Sequence, residues 1–378
     1  MRWSSTVIDA PDALDDALDA FGRAPPPDVV FVFASAAFAP LWPQLPGRIR
    51  SHFPSTRVLG CSAGGVVGAG REIENAPGLS LLAGWLPGVH ITPFAGRQPD
   101  DLLAHPPPPD ALGAIILAEP FGCDLSGVLD ALHGARPACA AAGGVASGAM
   151  RPGQSALFLD DHAVRTGYVG LAFAGELAFD ALVAQGSRPI GPPLFVTDAH
   201  GPLVRTLDGK RGLDALDEVL EALGEADRAL AQRALLVGLV MDPTRQTYGP
   251  GDFLVRSLVG IEPESGHLLV AGDPQPNQVL QFHVRDKDAA HADLEAILGA
   301  YAPTALPPPA GGLMFTCLSR GEQLFGAAGH DSGRLRAHLG DLPVGGFFAN
   351  GEVGPVDGRA WLHGFTTVFA LFRPRAHA

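Results

Sequence analysis

Two stretches of the chain set nucleophilic side chains or bare backbone on glycines. Gly60-Cys61-Ser62-Ala63-Gly64-Gly65 offers a thiol and a hydroxyl, and Ala140-Ala141-Ala142-Gly143-Gly144 offers backbone alone. Where Cβ is absent, N–H groups can approach an anion or carbonyl oxygen as a nest, so Gly64, Gly65, Gly143 and Gly144 are candidate ligand contacts. The same glycines also suit tight turns and close strand packing. Gly60 to Gly64 fits the G-x-S-x-G pattern of a hydrolase elbow, which needs a strand-to-helix turn after the serine. The next residues, Val66-Val67-Gly68-Ala69-Gly70, make a poor helix start. Cys61 and Cys317 each close an apolar run, the usual place of a small buried hydrophobe. Arg320, three residues beyond Cys317, would activate that thiol if the two side chains met.

Arg188, Arg256, Arg285 and Arg320 recur beside apolar runs, where a guanidinium must meet a carboxylate, either the protein's own or a ligand's. For Arg285 the adjacent Asp286 favours an internal pair. Arg188 and Arg320 stay open as ligand contacts, together with Asn350, Gly351 and Glu352. An arginine sharing a cleft with Glu352 would hold an amino acid by its two ends, the carboxylate on the guanidinium and the ammonium on the carboxylate.

These residues need elements to position them. Leu14, Leu18 and Phe21 lie at helical spacing behind a Pro-Asp start, and Val29-Val30-Phe31-Val32-Phe33 is a short buried strand. Proline clusters at 25–27, 106–109 and 307–309 punctuate the chain, each ahead of an apolar run. They mark out an internal repeat. Copy one runs from the strand at Val29 through an apolar segment at Leu41 to Phe53, the glycine turn at Gly64, and the strand Leu79 to Ala83. Copy two has Ala114 to Ala118, a helix around Leu125 to Leu132, Gly143, and strands at Ala156 to Leu159 and Val169 to Phe173. Copy three, weaker, has Gly312 to Cys317, a helix near Leu335 to Leu339, Gly351, and the strand Thr366 to Leu371. Between copies two and three lies a different stretch. It has a turn at Thr206 to Lys210, a helix around Leu213 to Leu223, and strands at Phe253 to Ile261 and Leu268 to Val270. The fold expected is α/β, with mixed sheets in two lobes built from related strand–helix–Gly-turn–strand units.

Composition excludes several classes. In 378 residues, 47% are hydrophobic and 17% charged, which is the balance of a chain that buries a core. With 26 Lys and Arg against 40 Asp and Glu the net charge is −14, and no basic stripe offers itself to nucleic acid. The 4 cysteines form no C-x-x-C pair and have no histidine at metal-ligand spacing, so neither a metal nor a cofactor is implied. No run is apolar for the roughly 18 residues of a membrane helix, and the N-terminus lacks a signal-peptide core, so no membrane partner and a cytoplasmic location are expected.

Taken in order, several motifs resemble the FIST family over roughly residues 28 to 372. They are Leu59-Gly60-Cys61-Ser62-Ala63-Gly64-Gly65, Gly143-Gly144-Val145-Ala146-Ser147-Gly148, Gln185-Gly186-Ser187-Arg188-Pro189, Phe253-Leu254-Val255-Arg256, Gln281-Phe282-His283-Val284-Arg285-Asp286, Phe315-Thr316-Cys317-Leu318-Ser319-Arg320-Gly321 and Gly346-Phe347-Phe348-Ala349-Asn350-Gly351-Glu352. The resemblance implies an N-terminal FIST domain over 28–215 and a C-terminal one over 216–372. It also implies a sensory module for a small ligand, with amino acids among the candidates. Many relatives carry a fused output domain, whereas the residues flanking the match here are too few for one. A stand-alone binder signalling through a separate protein is therefore expected. A protein-interaction scaffold, or a hydrolase or transferase using Cys61, Ser62 or Cys317, remains the alternative.

Overall fold

The structure is a computed structural model that describes residues 1–22, 25–242, 244–245, 247–249 and 251–375. Its strands fall where the apolar runs fall. The first copy consists of β1 (Arg2–Ile8), α1 (Leu14–Asp19), β2 (Val29–Ser35), α2 (Leu45–His52), β3 (Arg57–Ala63), β4 (Gly65–Gly68), β5 (Arg71–Glu74) and β6 (Leu79–Trp85). The second has β7 (Val89–Gly96), α3 (Pro99–Ala104), β8 (Gly113–Ala118), α4 (Leu125–Ala135), β9 (Ala140–Val145), β10 (Leu157–Leu159), β11 (His162–Val164) and β12 (Tyr168–Gly175). The third opens with β13 (Leu177–Ala184) and is then interrupted.

The interruption holds β14 (Ser187–His200), β15 (Leu203–Leu207), β16 (Lys210–Arg211), α5 (Gly212–Ala222), α6 (Glu225–Arg233), β17 (Leu235–Val240), β18 (Phe253–Ile261), β19 (Leu268–Val270) and β20 (Val279–Arg285). After α7 (Lys287–Tyr301) the third copy resumes with β21 (Gly311–Cys317), α8 (Gly321–Phe325), α9 (His330–Leu339), β22 (Val344–Ala349), β23 (Glu352–Val356), β24 (Arg359–His363) and β25 (Thr367–Pro374). Two compact units result, one of residues 1–183, 294–362 and 366 onward, the other of 184–293 and 363–365. All three copies belong to the first unit, and both sequence segments, 28–215 and 216–372, contribute to it.

Hydrogen bonding repeats with the copies. The first and second long strands pair in parallel as β2 with β3, β8 with β9 and β21 with β22. The last strand of each copy adds antiparallel to the first, as β6 on β2, β12 on β8 and β25 on β21. Each second strand would leave a bare edge, a site for unwanted pairing. A hairpin from another copy covers it: β10 and β11 extend β3, β23 and β24 extend β9, and β4 and β5 extend β22. The exchange closes a cycle through the three six-stranded sheets.

Both faces of these strands are covered, which is why they read as continuous apolar runs. One face of each sheet meets in a shared core of Phe31, Phe33, Leu59, Ile115, Leu117, Phe315 and Phe347. On the outer faces, Val30 and Val32 pack on Leu45 and Ile49 of α2, and Ala114 and Ile116 pack on Leu125, Val128 and Leu132 of α4. In the second unit β14 bonds to both β20 and β15, so the strands close on themselves around Ile190, Val196, Val237 and Phe282.

Strand register corrects the equivalence of the copies. By sequence Gly64, Gly143 and Gly351 correspond, but the parallel pairs place Gly60 opposite Val32, Gly143 opposite Ile116 and Gly346 opposite Met314. At each of the three a Cβ would run into the carbonyl oxygen of that partner, so glycine is required in all copies for one reason. Counting from these anchors, Gly65, Gly148 and Gly351 also coincide.

Candidate functional site

The carboxyl ends of the parallel strands occupy equivalent places in each copy, the usual location of ligand sites in α/β sheets. There the residues Ser35, Glu119 and Cys317 donate their backbone N–H to the carbonyls of Gly78, Gly167 and Thr366. Three residues further on stand Phe38, Gly122 and Arg320. Six residues beyond the anchor glycines, after the second strands have ended, stand Val66, Ala149 and Glu352 at matching positions.

Chemistry at these positions differs by copy. In the first, Phe38 and Val66 are core residues, and Ser35 Oγ accepts the Gly78 N–H at 3.0 Å. In the second, the buried Glu119 carboxylate accepts the backbone N–H groups of Phe121 at 2.9 Å and Gly122 at 2.5 Å. In the third, Arg320 is 0% exposed and forks onto Asp331, Nε to Oδ2 at 2.7 Å and Nη2 to Oδ1 at 2.9 Å. Asp331 also accepts from Thr316 Oγ1 at 3.2 Å and faces His330 Nδ1 at 2.8 Å. Burial works against its charge, but Arg320 and His330 outweigh it and hold the carboxyl well below the usual range.

Glu352 is likewise 0% exposed. Its Oε2 accepts the Thr366 N–H at 3.1 Å and the Thr366 hydroxyl at 2.8 Å, while Oε1 is buried without a hydrogen-bond donor. Burial pushes this carboxyl up to about 8, with Thr366, Arg320 and the Cys317 thiol pulling the other way. Cys317 is partly exposed, and its Sγ lies 3.2 Å from Ser319 Oγ.

Next to this cluster a cavity of about 420 Å³ opens between the loop after β21 and the β4–β5 hairpin. Its wall includes Gly64, Gly65, Leu318 and Phe348, and its polar groups come from Glu74, Asn75, Glu322 and Gln323. Glu74 Oε1 accepts the Glu322 N–H at 2.9 Å, and burial raises the Glu74 carboxyl. Ser147 of the second copy ties the rim: its Oγ accepts the Gly64 N–H at 2.7 Å and donates to the Phe348 carbonyl. Ser147, Glu74 and Asp331 do not stand out in the sequence, because each acts on a residue of a different copy or element.

The candidates read from sequence separate accordingly. Gly64 and Gly65 line the cavity. Arg320 and Glu352 are buried beside the partly exposed Cys317, and Gly351 and the exposed Asn350 exchange backbone hydrogen bonds with Val145. Cys61 and Ser62 lie inside β3, fully buried, and burial pushes the Cys61 thiol well above its ordinary range. Ser62 Oγ accepts the Ala156 N–H at 3.1 Å, and β3 is followed by β4 rather than a helix, so this glycine pattern is not a nucleophile elbow. Gly143 and Gly144 are buried strand residues; a Cβ on Gly144 would meet the Gly351 carbonyl and Ala349. Arg188 lies in the second unit with its guanidinium on Asp286, at 2.6 Å, and on Asp227. Asp286 thus pairs with Arg188. The open arginine–Glu352 cleft expected from sequence is not what forms. Both side chains are sealed in, and Arg320 already spends its fork on Asp331, because a buried guanidinium demands a carboxylate.

A repeated α/β body with a small polar cavity at its strand ends defines the class. Residues 28–210 match the FIST N domain and residues 214–355 the FIST C domain. The chain belongs to the FIST family, whose domains are generally sensory, ligand-binding modules. It is similar to an uncharacterized protein, Rv0628c, of Mycobacterium tuberculosis, at 33% identity over 98% of this chain and 100% of that one. Another, Mb0898c of Mycobacterium bovis, is 34% identical over 98% of this chain and 99% of that one. Among solved structures, a cyanuric acid hydrolase from A. caulinodans aligns over 99% of this chain and 100% of that one at 11% identity and a TM-score of 0.31, which supports no inference. No helix among the described residues is long and apolar enough to cross a membrane.

Proposed function

We propose that the protein is a sensory binder of a small, amine-bearing polar metabolite, an amino acid being the best-fitting kind, and that it passes its signal to a separate protein. The observation that carries this reading is the polar wall of the cavity. Among the described residues it holds two carboxylates, Glu74 and Glu322, two amides, Asn75 and Gln323, and no lysine or arginine. A ligand ammonium finds its acceptors in the carboxylates, and a ligand carboxylate finds N–H donors in the amides. The volume of about 420 Å³ lies within the range of small-molecule sites. A ligand that binds only the folded state raises its melting temperature. A thermal-shift screen of amino acids, simple amines and amine-free organic acids is expected to give hits only among the first two. The double substitution Glu74→Gln with Glu322→Gln should weaken a hit by tenfold or more. A screen with no hit in any class, or hits confined to amine-free acids, would overturn the assignment.

A further inference from the structure

Trp3 stands in β1 opposite Gly84 of β6, and its indole fills room that two glycines leave open. A Cβ on Gly84 would run into the six-membered ring, and one on Gly311 of β21 into the pyrrole edge. Phe31 and Phe372 pack on the same indole, with ring centroids 6.3 and 4.8 Å away. The indole is thus held in one orientation, yet its Nε1 is buried without an acceptor among the described residues. An indole nitrogen only donates, and a buried donor of this kind calls for a partner.

Trp3 lines a cavity of about 430 Å³ bounded by β1, the turn between β4 and β5, α9, and the segment leading into β22. Ser332 of α9 lines it too, and its Oγ is likewise buried without a hydrogen bond. That hydroxyl comes near the Glu72 carboxylate, which accepts the Ser332 N–H on Oε1 at 2.7 Å and keeps Oε2 buried without a donor. The walls are apolar, from Val67, Leu335, Leu342, Pro343 and Val344. The charged side chains on the wall, Arg336 and Asp341, are exposed and pair with each other at 2.6 Å, so neither sign of charge is left over. Ser5 braces the rim, its Oγ donating to the Val344 carbonyl at 2.6 Å and accepting the Ala69 N–H at 2.9 Å.

We propose that this cavity is a second ligand site and that it takes a small uncharged alcohol or phenol, whose hydroxyl pairs with Trp3 Nε1 and Ser332 Oγ while its apolar body lies against Val67, Leu335 and Leu342. The indole needs an acceptor, which an ammonium is not. A carboxylate accepts, but it brings its charge up to Glu72 beside Ser332. A hydroxyl accepts from Trp3 and donates to Ser332 or Glu72 without placing a charge among apolar walls. The cavity at Glu74 and Glu322 has the opposite character, polar and acidic, and this site is independent of whatever occupies that one.

The test titrates the intact, nitrogen-15-labelled protein at neutral pH with phenol and with cyclohexanol, and follows the indole N–H signals of its 4 tryptophans by NMR. Trp3→Phe, which keeps an aromatic ring and removes the N–H, assigns the Trp3 signal; cross-peaks to Phe372 assign it if that variant does not fold. Both alcohols are expected to move this signal. Toluene, which lacks the oxygen, and the charged benzoate and benzylamine should bind at least about tenfold more weakly than phenol. Ser332→Ala should weaken phenol by about fivefold or more, and Leu342→Trp, at the half-buried rim, should block it. A Trp3 signal that stays in place with both alcohols overturns the site, as does unchanged phenol binding in folded Ser332→Ala and Leu342→Trp. Benzoate or benzylamine binding as tightly as phenol overturns the ligand class.

Discussion

The first and third copies share a strand plan, an anchor glycine and a hairpin exchange, yet they fill one position with opposite chemistry. Where the first copy buries Phe38 and Val66, the third buries Arg320 and Glu352. Apolar side chains complete this scaffold without any desolvation of charge, as the first copy demonstrates. A buried guanidinium and carboxylate give up their hydration and recover it only through well-placed partners. The third copy supplies those partners from outside its strands, Asp331 on α9 and Thr366 before β25. Folding alone gives no reason for that substitution, and a polar cavity lies beside it at the same strand end. The comparison therefore sets the third copy apart by asymmetry: the backbone repeats, the second copy buries the Glu119 carboxylate on backbone N–H groups, and the buried guanidinium–carboxylate chemistry belongs to the third.

The largest effect expected from breaking this contrast is at Arg320. Arg320→Ala leaves Asp331 buried without its partner and should cost about 3–5 kcal/mol in urea unfolding. Phe38→Ala, the matching change in the first copy, should cost a similar ~3–5 kcal/mol by opening a cavity. The two differ in rescue. Arg320→Met combined with Asp331→Leu should restore most of the loss, because an apolar pair needs no compensation. A double variant as unstable as Arg320→Ala would show that the charged pair is a structural requirement of the third copy.

Next in size are the anchor glycines, where the copies should behave alike. Gly60→Ala, Gly143→Ala and Gly346→Ala each drive a Cβ into a carbonyl of the neighbouring strand and should each cost at least about 1–3 kcal/mol. If one of the three is tolerated in thermal unfolding, that copy does not share the register of the others.

Counted over a single pH unit, the smallest effect is the pH dependence from Glu352, for which Val66 of the first copy has no counterpart. The folded carboxyl titrates at about 8, well above its unfolded value, so over the interval between them the folded state keeps a proton that the unfolded state has lost. Stability from this group is complete below the unfolded value and falls as pH rises toward 8, by at most about 1.4 kcal/mol per pH unit. Glu352→Gln removes that slope. Parallel stability curves for the wild type and Glu352→Gln between pH 5 and 8 would contradict a buried, proton-retaining Glu352.

Much of this body was legible in the chain itself. Runs such as Val29 to Phe33 and Ala114 to Ala118 specify strands because both faces are buried, and the helix of Leu125 to Leu132 shows its apolar stripe. The repeat was visible, but its register was not. Gly64 and Gly143 look alike as letters, and only the pairing of parallel strands shows that Gly60 answers Gly143. The strand Arg2–Ile8 also carried little signal, since Trp3 and Ile8 are its only buried residues.

The candidate site divides along the same line. Sequence determined that Cys317, Arg320 and Glu352 are polar residues set in apolar runs, a local property that needs no fold to recognise. Tertiary structure alone decided their partners: Arg320 to Asp331 across α8, Glu352 to Thr366 across a hairpin, Gly64 to Ser147 across copies. Hydrogen-bond partners far apart in the chain are chosen by strand register and by which hairpin covers which edge, and neither is written in the spacing of any one segment.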